Sequence, residues 1–150
     1  MQKLRKSIFI KAPRQRVWDV MLSDSTYRQW TAAFHPGSYF KGSWSKGSKI
    51  LFLGPGPEGS GDGGMVSRIH DNRLHEFISI EHRGIVQNGV EDTESPEAKK
   101  WAPAYENYTF AEKNGGTELT VEQDIDEKER ETFEKMWADA LSRLKKLAEA

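Results

Sequence analysis

Apolar and polar positions alternate from Ser7 to Lys11, with Ile8 and Ile10 on one face and Phe9 on the other, the two-residue period of a β-strand. Pro13 stops that strand and suits a first helical turn. In Arg14 to Leu22, Val17, Trp18 and Met21 share one stripe, which predicts a short helix. The oxygens of Ser23-Asp24-Ser25 and the spacing of Tyr27, Trp30 and Phe34 predict a second short helix, ended by Pro36-Gly37.

From Ser38 to Ile125 the pattern is one of strands and turns. Tyr39-Phe40 and Trp44 read as one strand, Lys46-Gly47 as a turn, and Lys49 to Leu53 as the next strand. Gly54 to Gly64, with six glycines and two prolines, predicts a mobile entrance loop. Met65 to His70 and Leu74 to Arg83 are strands joined by a turn at Asp71-Asn72-Arg73. Gly84 to Pro103 loses the pattern, is acidic and breaker-rich in the middle, and reads as a long loop ending at Trp101. Tyr105 to Phe110, the Asn114-Gly115-Gly116 turn and Glu118 to Ile125 form a hairpin, with Leu119, Val121 and Ile125 on one face. Asp126 and Glu129 resemble a capping box. After them Phe133, Met136, Trp137, Ala140, Leu141, Leu144, Leu147 and Ala148 hold helical spacing, predicting one rod over 126–148 of about 22 residues and about 33 Å.

Composition narrows the class. The 150 residues suffice for one domain with one core, and 1–150 is read as such. There is no cysteine, hence no disulfide, thiolate metal site or cysteine nucleophile. A net charge of -1 with mixed signs provides no basic footprint, so nucleic acid is not an expected partner. No apolar run nears the roughly 20 residues of a spanning helix, so no membrane insertion is expected. The basic start Met1 to Lys6 precedes only Ile8-Phe9-Ile10, too little for a secretory leader, and a cytoplasmic location is expected. Five Trp, four Tyr and seven Phe exceed what a small core needs, which points to rings lining a cavity.

The order of elements, and several stretches within it, resemble a known family. Ile10-Lys11-Ala12-Pro13 with Val17-Trp18, Tyr27-Arg28-Gln29-Trp30, Gly115-Gly116-Thr117-Glu118-Leu119, and a final helix carrying Met136-Trp137 and Leu141 are similar to the START/Bet v 1-like (SRPBCC) superfamily. Within it they resemble the branch related to the activator of the 90-kDa heat-shock chaperone ATPase. The resemblance spans essentially the whole chain. It implies an α+β helix-grip fold: a curved antiparallel β-sheet wrapped around a long C-terminal α-helix, two short helices after the first strand, and a cavity between sheet and helix. That superfamily hosts lipid carriers, hormone receptors, cyclases and chaperone activators on one scaffold, so fold alone does not choose among activities.

Local motifs exclude several chemistries. Gly54-Pro55-Gly56-Pro57-Glu58-Gly59 matches GxGxxG in letters, but no helix opens on its third glycine, so it is no dinucleotide site. No GxSxG or GxxxxGK pattern occurs, and His35, His70, His75 and His82 lack metal-ligand spacing; no cofactor and no metal are expected. Asn107-Tyr108-Thr109 is a sequon inside a predicted strand and carries no weight without a leader. The acidic run Glu91 to Glu97 reads as a solvated surface.

The candidate site rests on strand phase. If Ile78 and Ile80 point inward so does His82, and if Tyr108 and Phe110 point inward so does Glu106. Two polar groups would then share an apolar pocket, a pattern suited to binding a small molecule, and the plainer reading is a satisfied hydrogen-bonded pair. Trp18 and Trp137 sit on helical stripes that favour core packing, while Trp30 and Trp44 are candidates for the pocket. Trp101 is either a lid over the cavity mouth or an anchor for its loop. The expected ligand-binding set is Trp30, Phe40, Met65, Ile80, His82, Glu106, Tyr108, Met136, Trp137 and Ala140, with Trp101 as lid and no assigned catalytic residue. The expected partner is a small apolar or aromatic molecule. The alternatives are a module that binds and stimulates a chaperone ATPase, or a polyketide cyclase or dehydratase using Glu106 or His82.

Overall fold

The structure is a computed structural model describing residues 1–57 and 60–150. Strand β1 (Gln2–Ile10) leads through Pro13 into helix α1 (Arg14–Leu22), then α2 (Asp24–Trp30) and a 3-10 turn (Thr31–Ala33). Strands β2 (Tyr39–Gly42), β3 (Lys49–Gly54), β4 (Gly63–Arg73), β5 (Phe77–Gln87) and β6 (Val90–Asp92) follow, then a one-turn helix α3 (Pro96–Lys99). Strands β7 (Ala104–Lys113) and β8 (Gly116–Ile125), a 3-10 turn (Glu127–Glu129) and helix α4 (Arg130–Glu149) complete the chain. The strands pair antiparallel in the order β1-β8-β7-β5-β4-β3-β2, with β6 added beside β5. α4 lies across the concave face of this sheet, which is the helix-grip fold and α+β class expected.

One core joins the layers. From α4 it takes Trp137, Ala140, Leu141, Leu144 and Ala148; from α1, Val17, Val20 and Met21; from the sheet, Leu4, Ile10, Ile69, Ile78, Phe110, Leu119 and Val121. The far end of α4 is tied down. Arg16 donates from Nη2 to the Leu147 carbonyl at 3.1 Å and from Nε to that of Ala148 at 3.2 Å, satisfying carbonyls that a helix end leaves free. The Glu149 carboxylate accepts from Lys145 Nζ at 2.6 Å and the Lys11 amide at 2.7 Å; these bonds hold its pKa below the ordinary value. The α1 terminus is closed by tryptophans. Trp30 Nε1 donates to the Met21 carbonyl at 3.0 Å and Trp44 Nε1 to that of Leu22 at 3.1 Å.

Several boundaries differ from the pattern reading. Trp44 lies beyond β2, which stops at Gly42, because its indole turns back to α1 and its carbonyl accepts from Asn72 at 2.8 Å. Asp71, Asn72 and Arg73 remain in the β4–β5 ladder opposite Ser79, Ile78 and Phe77; the turn falls at residues 74–76, where His75 has φ 62°. The ladder tip faces solvent, so polar residues cost nothing there. The 54–64 loop is shorter than expected, since Leu53 pairs with Gly64 and Gly54 with Gly63; its Glu58 and Gly59 lie outside the described residues. The 84–103 loop is mostly ordered structure. β5 continues to Gln87, Asn88-Gly89 turns with both φ positive as an Asn-Gly hairpin does, β6 returns, and Ser95 caps α3 by accepting the Ala98 amide at 3.1 Å. The 126–148 rod opens with a 3-10 turn: Asp126 accepts the Lys128 amide at 3.0 Å, and the α-helix proper begins at Arg130.

Candidate functional site

Strand register builds the site. Ile80 faces Glu106 and Ile78 faces Tyr108 across β5 and β7, so His82 on β5 and Glu106 on β7 point to the α4 side with their buried neighbours. The Glu106 side chain is 14% exposed and that of His82 9%. A bulge in the β4–β5 ladder, where Val66 faces Gly84 and the next residue Ser67 faces His82, places Ser67 Oγ 2.7 Å from His82 Nδ1. His82 Nε2 lies 3.1 Å from Glu106 Oε1, and the Tyr108 hydroxyl donates to Glu106 Oε2. In the tautomer that carries its proton on Nε2, the ring donates to the carboxylate and Nδ1 accepts from the Ser67 hydroxyl. Ser67, His82, Glu106 and Tyr108 thus form one continuous buried polar chain.

This chain forms one wall of a cavity of about 420 Å³ between sheet and α4. Aromatic rings form the rest. Trp30 and Trp137 stack at 6.0 Å between centroids, Phe34 meets Trp137 edge-on at 4.8 Å, and Tyr108 meets Trp137 at 6.1 Å. Tyr27 stands 5.4 Å from Trp30 and 6.3 Å from Phe52, which stands 6.0 Å from His82. Each of these rings lines the cavity. The Trp137 indole is fixed by donating Nε1–H to Gln123 Oε1 at 2.7 Å. Exposed His35, Pro55 and Trp101 lie at the mouth, where His35 Nε2 sits 2.7 Å from the Pro55 carbonyl. Burial first, and then the negative charge of Glu106, push the Tyr27 and Tyr108 phenols far above their ordinary 10.0. Both therefore stay protonated, and Tyr108 donates to Glu106.

Of the residues singled out from the sequence, Trp30, Met65, His82, Glu106, Tyr108, Trp137 and Trp101 line this cavity. Phe40, Ile80, Met136, Ala140 and Trp44 are not in its wall. Phe40 and Trp44 pack on Tyr27 from outside the lining. Ile80 is wholly buried in the core, as is Ala140. The place given to Met136 is taken by Phe133, one turn before Trp137. Trp101 is 38% exposed and stands between the cavity and a smaller pocket bounded by Met1, Gln2, Lys100, Asp126 and Glu127. Tyr27 and Phe34 were signalled by their helical spacing with Trp30, and Gln123 by its phase with Val121 and Ile125. Ser67 shares the phase of Met65 and Ile69 on β4, but its approach to His82 depends on the bulge and had no signal. Among the described residues no group of His, Asp and Glu is arranged to hold a metal ion, and no helix is long and apolar enough to cross a membrane.

The fold recurs in solved structures. A Chromobacterium violaceum protein is 20% identical over 99% of this chain and 97% of its own, with TM-score 0.71. The AHSA1-like protein from Aeromonas hydrophila is 14% identical over 99% of this chain and 92% of its own, with TM-score 0.72. A Cytophaga hutchinsonii protein is 19% identical over 97% of this chain and 92% of its own, with TM-score 0.71. At these identities the likeness concerns fold alone. No curated protein matches the chain. Residues 11–149 match the family described as activator of Hsp90 ATPase homolog 1-like protein, a match that runs from the end of β1 to the end of α4. With sheet, helices and sequence match coinciding over nearly its whole length, the chain belongs to the activator of Hsp90 ATPase homolog 1-like protein family.

Proposed function

We propose that this protein binds a small hydrophobic or aromatic molecule in the cavity between the sheet and α4. The observation that carries this reading is the cavity itself: about 420 Å³, walled mainly by rings, with a few fixed polar groups. That volume is within the range of small-molecule pockets. Burial of apolar area, at about 25 cal/mol per Å², supplies the affinity, and the Glu106, His82 and Tyr108 heads orient the ligand. Trp101 acts as the lid, anchored through the buried Ala98 of α3. Titration with a panel of lipids and polycyclic aromatics, read by tryptophan fluorescence, tests the reading because Trp30 and Trp137 face the site. A saturable change with at least one compound is expected. No saturable response from any would overturn it.

The family match favours a second reading, stimulation of a chaperone ATPase through surface charges. Such an activity would be indifferent to substitutions that fill the cavity. A pull-down with a 90-kDa chaperone from the same cell separates the two.

A further inference from the structure

The charges around the cavity specify its ligand more closely. Among the described residues that line it there is no lysine or arginine, while Glu106 and Asp124 are both present. Asp124 is already matched, accepting the Tyr105 amide at 2.8 Å and lying 3.3 Å from Lys3 Nζ. Glu106 is different. Its two oxygens each take one hydrogen bond, from His82 and Tyr108. A carboxylate offers about four acceptor positions, so room for two more bonds remains. Glu106 therefore faces the cavity with no lysine or arginine beside it, and with two acceptor positions open to a ligand donor.

The surrounding rings reinforce the same preference. Trp30, Trp137, Phe34, Tyr27, Phe52 and Tyr108 line the same space, and a ligand cation that settles over a ring face is attracted by it. The field of Glu106 reaches across the site, since it opposes ionisation of both Tyr27 and Tyr108. A field that resists a second anion stabilises a cation at the same place. An acidic ligand would be disfavoured by the same field.

Resting on the binding role above, we propose that the ligand is a hydrophobic amine, its aromatic or aliphatic body held among the rings and its ammonium group hydrogen-bonded to Glu106. Calorimetric titration at neutral pH with naphthylmethylamine, naphthylmethanol and naphthoate, three probes of similar size, tests it. The amine should bind about tenfold or more tightly than the alcohol, as a charge-assisted hydrogen bond predicts, and the carboxylate most weakly. In Glu106→Gln the amine should fall to within about threefold of the alcohol measured on the same variant. The ranking on the unaltered protein stands as a test even if that variant fails to fold. Equal binding of amine and alcohol, preference for naphthoate, or an amine preference that survives Glu106→Gln would overturn the inference while leaving cavity binding intact. Failure of all three probes to bind would overturn this inference, and with silence from the wider panel would remove the binding role as well.

Discussion

Trp137 shows how much one side-chain hydrogen bond decides. Its ring closes the cavity on the α4 side and is oriented by a single acceptor, Gln123 Oε1, at 2.7 Å. Gln123→Leu keeps the bulk but leaves the indole N–H without its partner, and should destabilise the protein by about 1–3 kcal/mol. Gln123→Glu keeps an acceptor but sets a second carboxylate directly opposite Glu106, so it should not recover that loss; urea denaturation of both variants measures the difference. The inward phase of Gln123 was legible from the alternation of β8, in which Leu119, Val121 and Ile125 share its face. That it would meet a tryptophan on α4 was not, since no local period relates position 123 to position 137. His82 and Glu106 follow the same logic. Period two brought each to the concave face, but the contact between them depends on the β5–β7 register, and that of His82 with Ser67 on a bulge.

Among the elements, the β3–β4 hairpin is the most constrained by backbone geometry. Gly64 has φ +153°, and a Cβ there would lie 1.8 Å from the Phe52 carbonyl oxygen. No side-chain movement can relieve a clash with backbone. Gly64→Ala should therefore destabilise by about 2 kcal/mol or more and displace Phe52 and Met65 from the cavity wall. A lowered urea midpoint, together with weakened binding of the best ligand from the fluorescence panel, is the expected outcome. The glycine-rich sequence from Gly54 to Gly64 announced a breaker, yet it did not show which glycines belong to a loop and which to a strand edge. Gly63 and Gly64 both pair with β3, and at Gly64 only a residue without a side chain lets the two backbones close. The Asn88-Gly89 turn carried a strong hairpin signal, but the acidic residues after it obscured β6. Polar residues in a strand at the sheet periphery need no burial, so hydropathy says nothing of them.

At the scale of the whole molecule, the apposition of sheet and α4 traps two phenols beside one carboxylate. Tyr27 and Tyr108 both hold their protons far above 10.0 in the folded state, through burial first and the Glu106 charge second. In the unfolded chain they lose them near 10.0. Above that pH the unfolded state binds fewer protons than the native state, so stability falls as pH rises. The stabilisation is fully present below pH 10 and declines above it by about 1.4 kcal/mol per pH unit for each phenol. Urea midpoints measured across the alkaline range should show this decline, and Tyr27→Phe should reduce its slope. The sequence by itself determined the class of fold, because strand alternation, helical stripes and breakers are local consequences of which face each residue must bury. It also determined which residues of a strand share a face, though not which of those faces line the cavity. Only the tertiary structure decided that the inward rings leave about 420 Å³ unfilled and that Glu106 meets His82 and Tyr108 there. Volume and charge partnership depend on register, on a bulge, and on the distance between α4 and the sheet, and these are set by contacts between residues far apart in the chain.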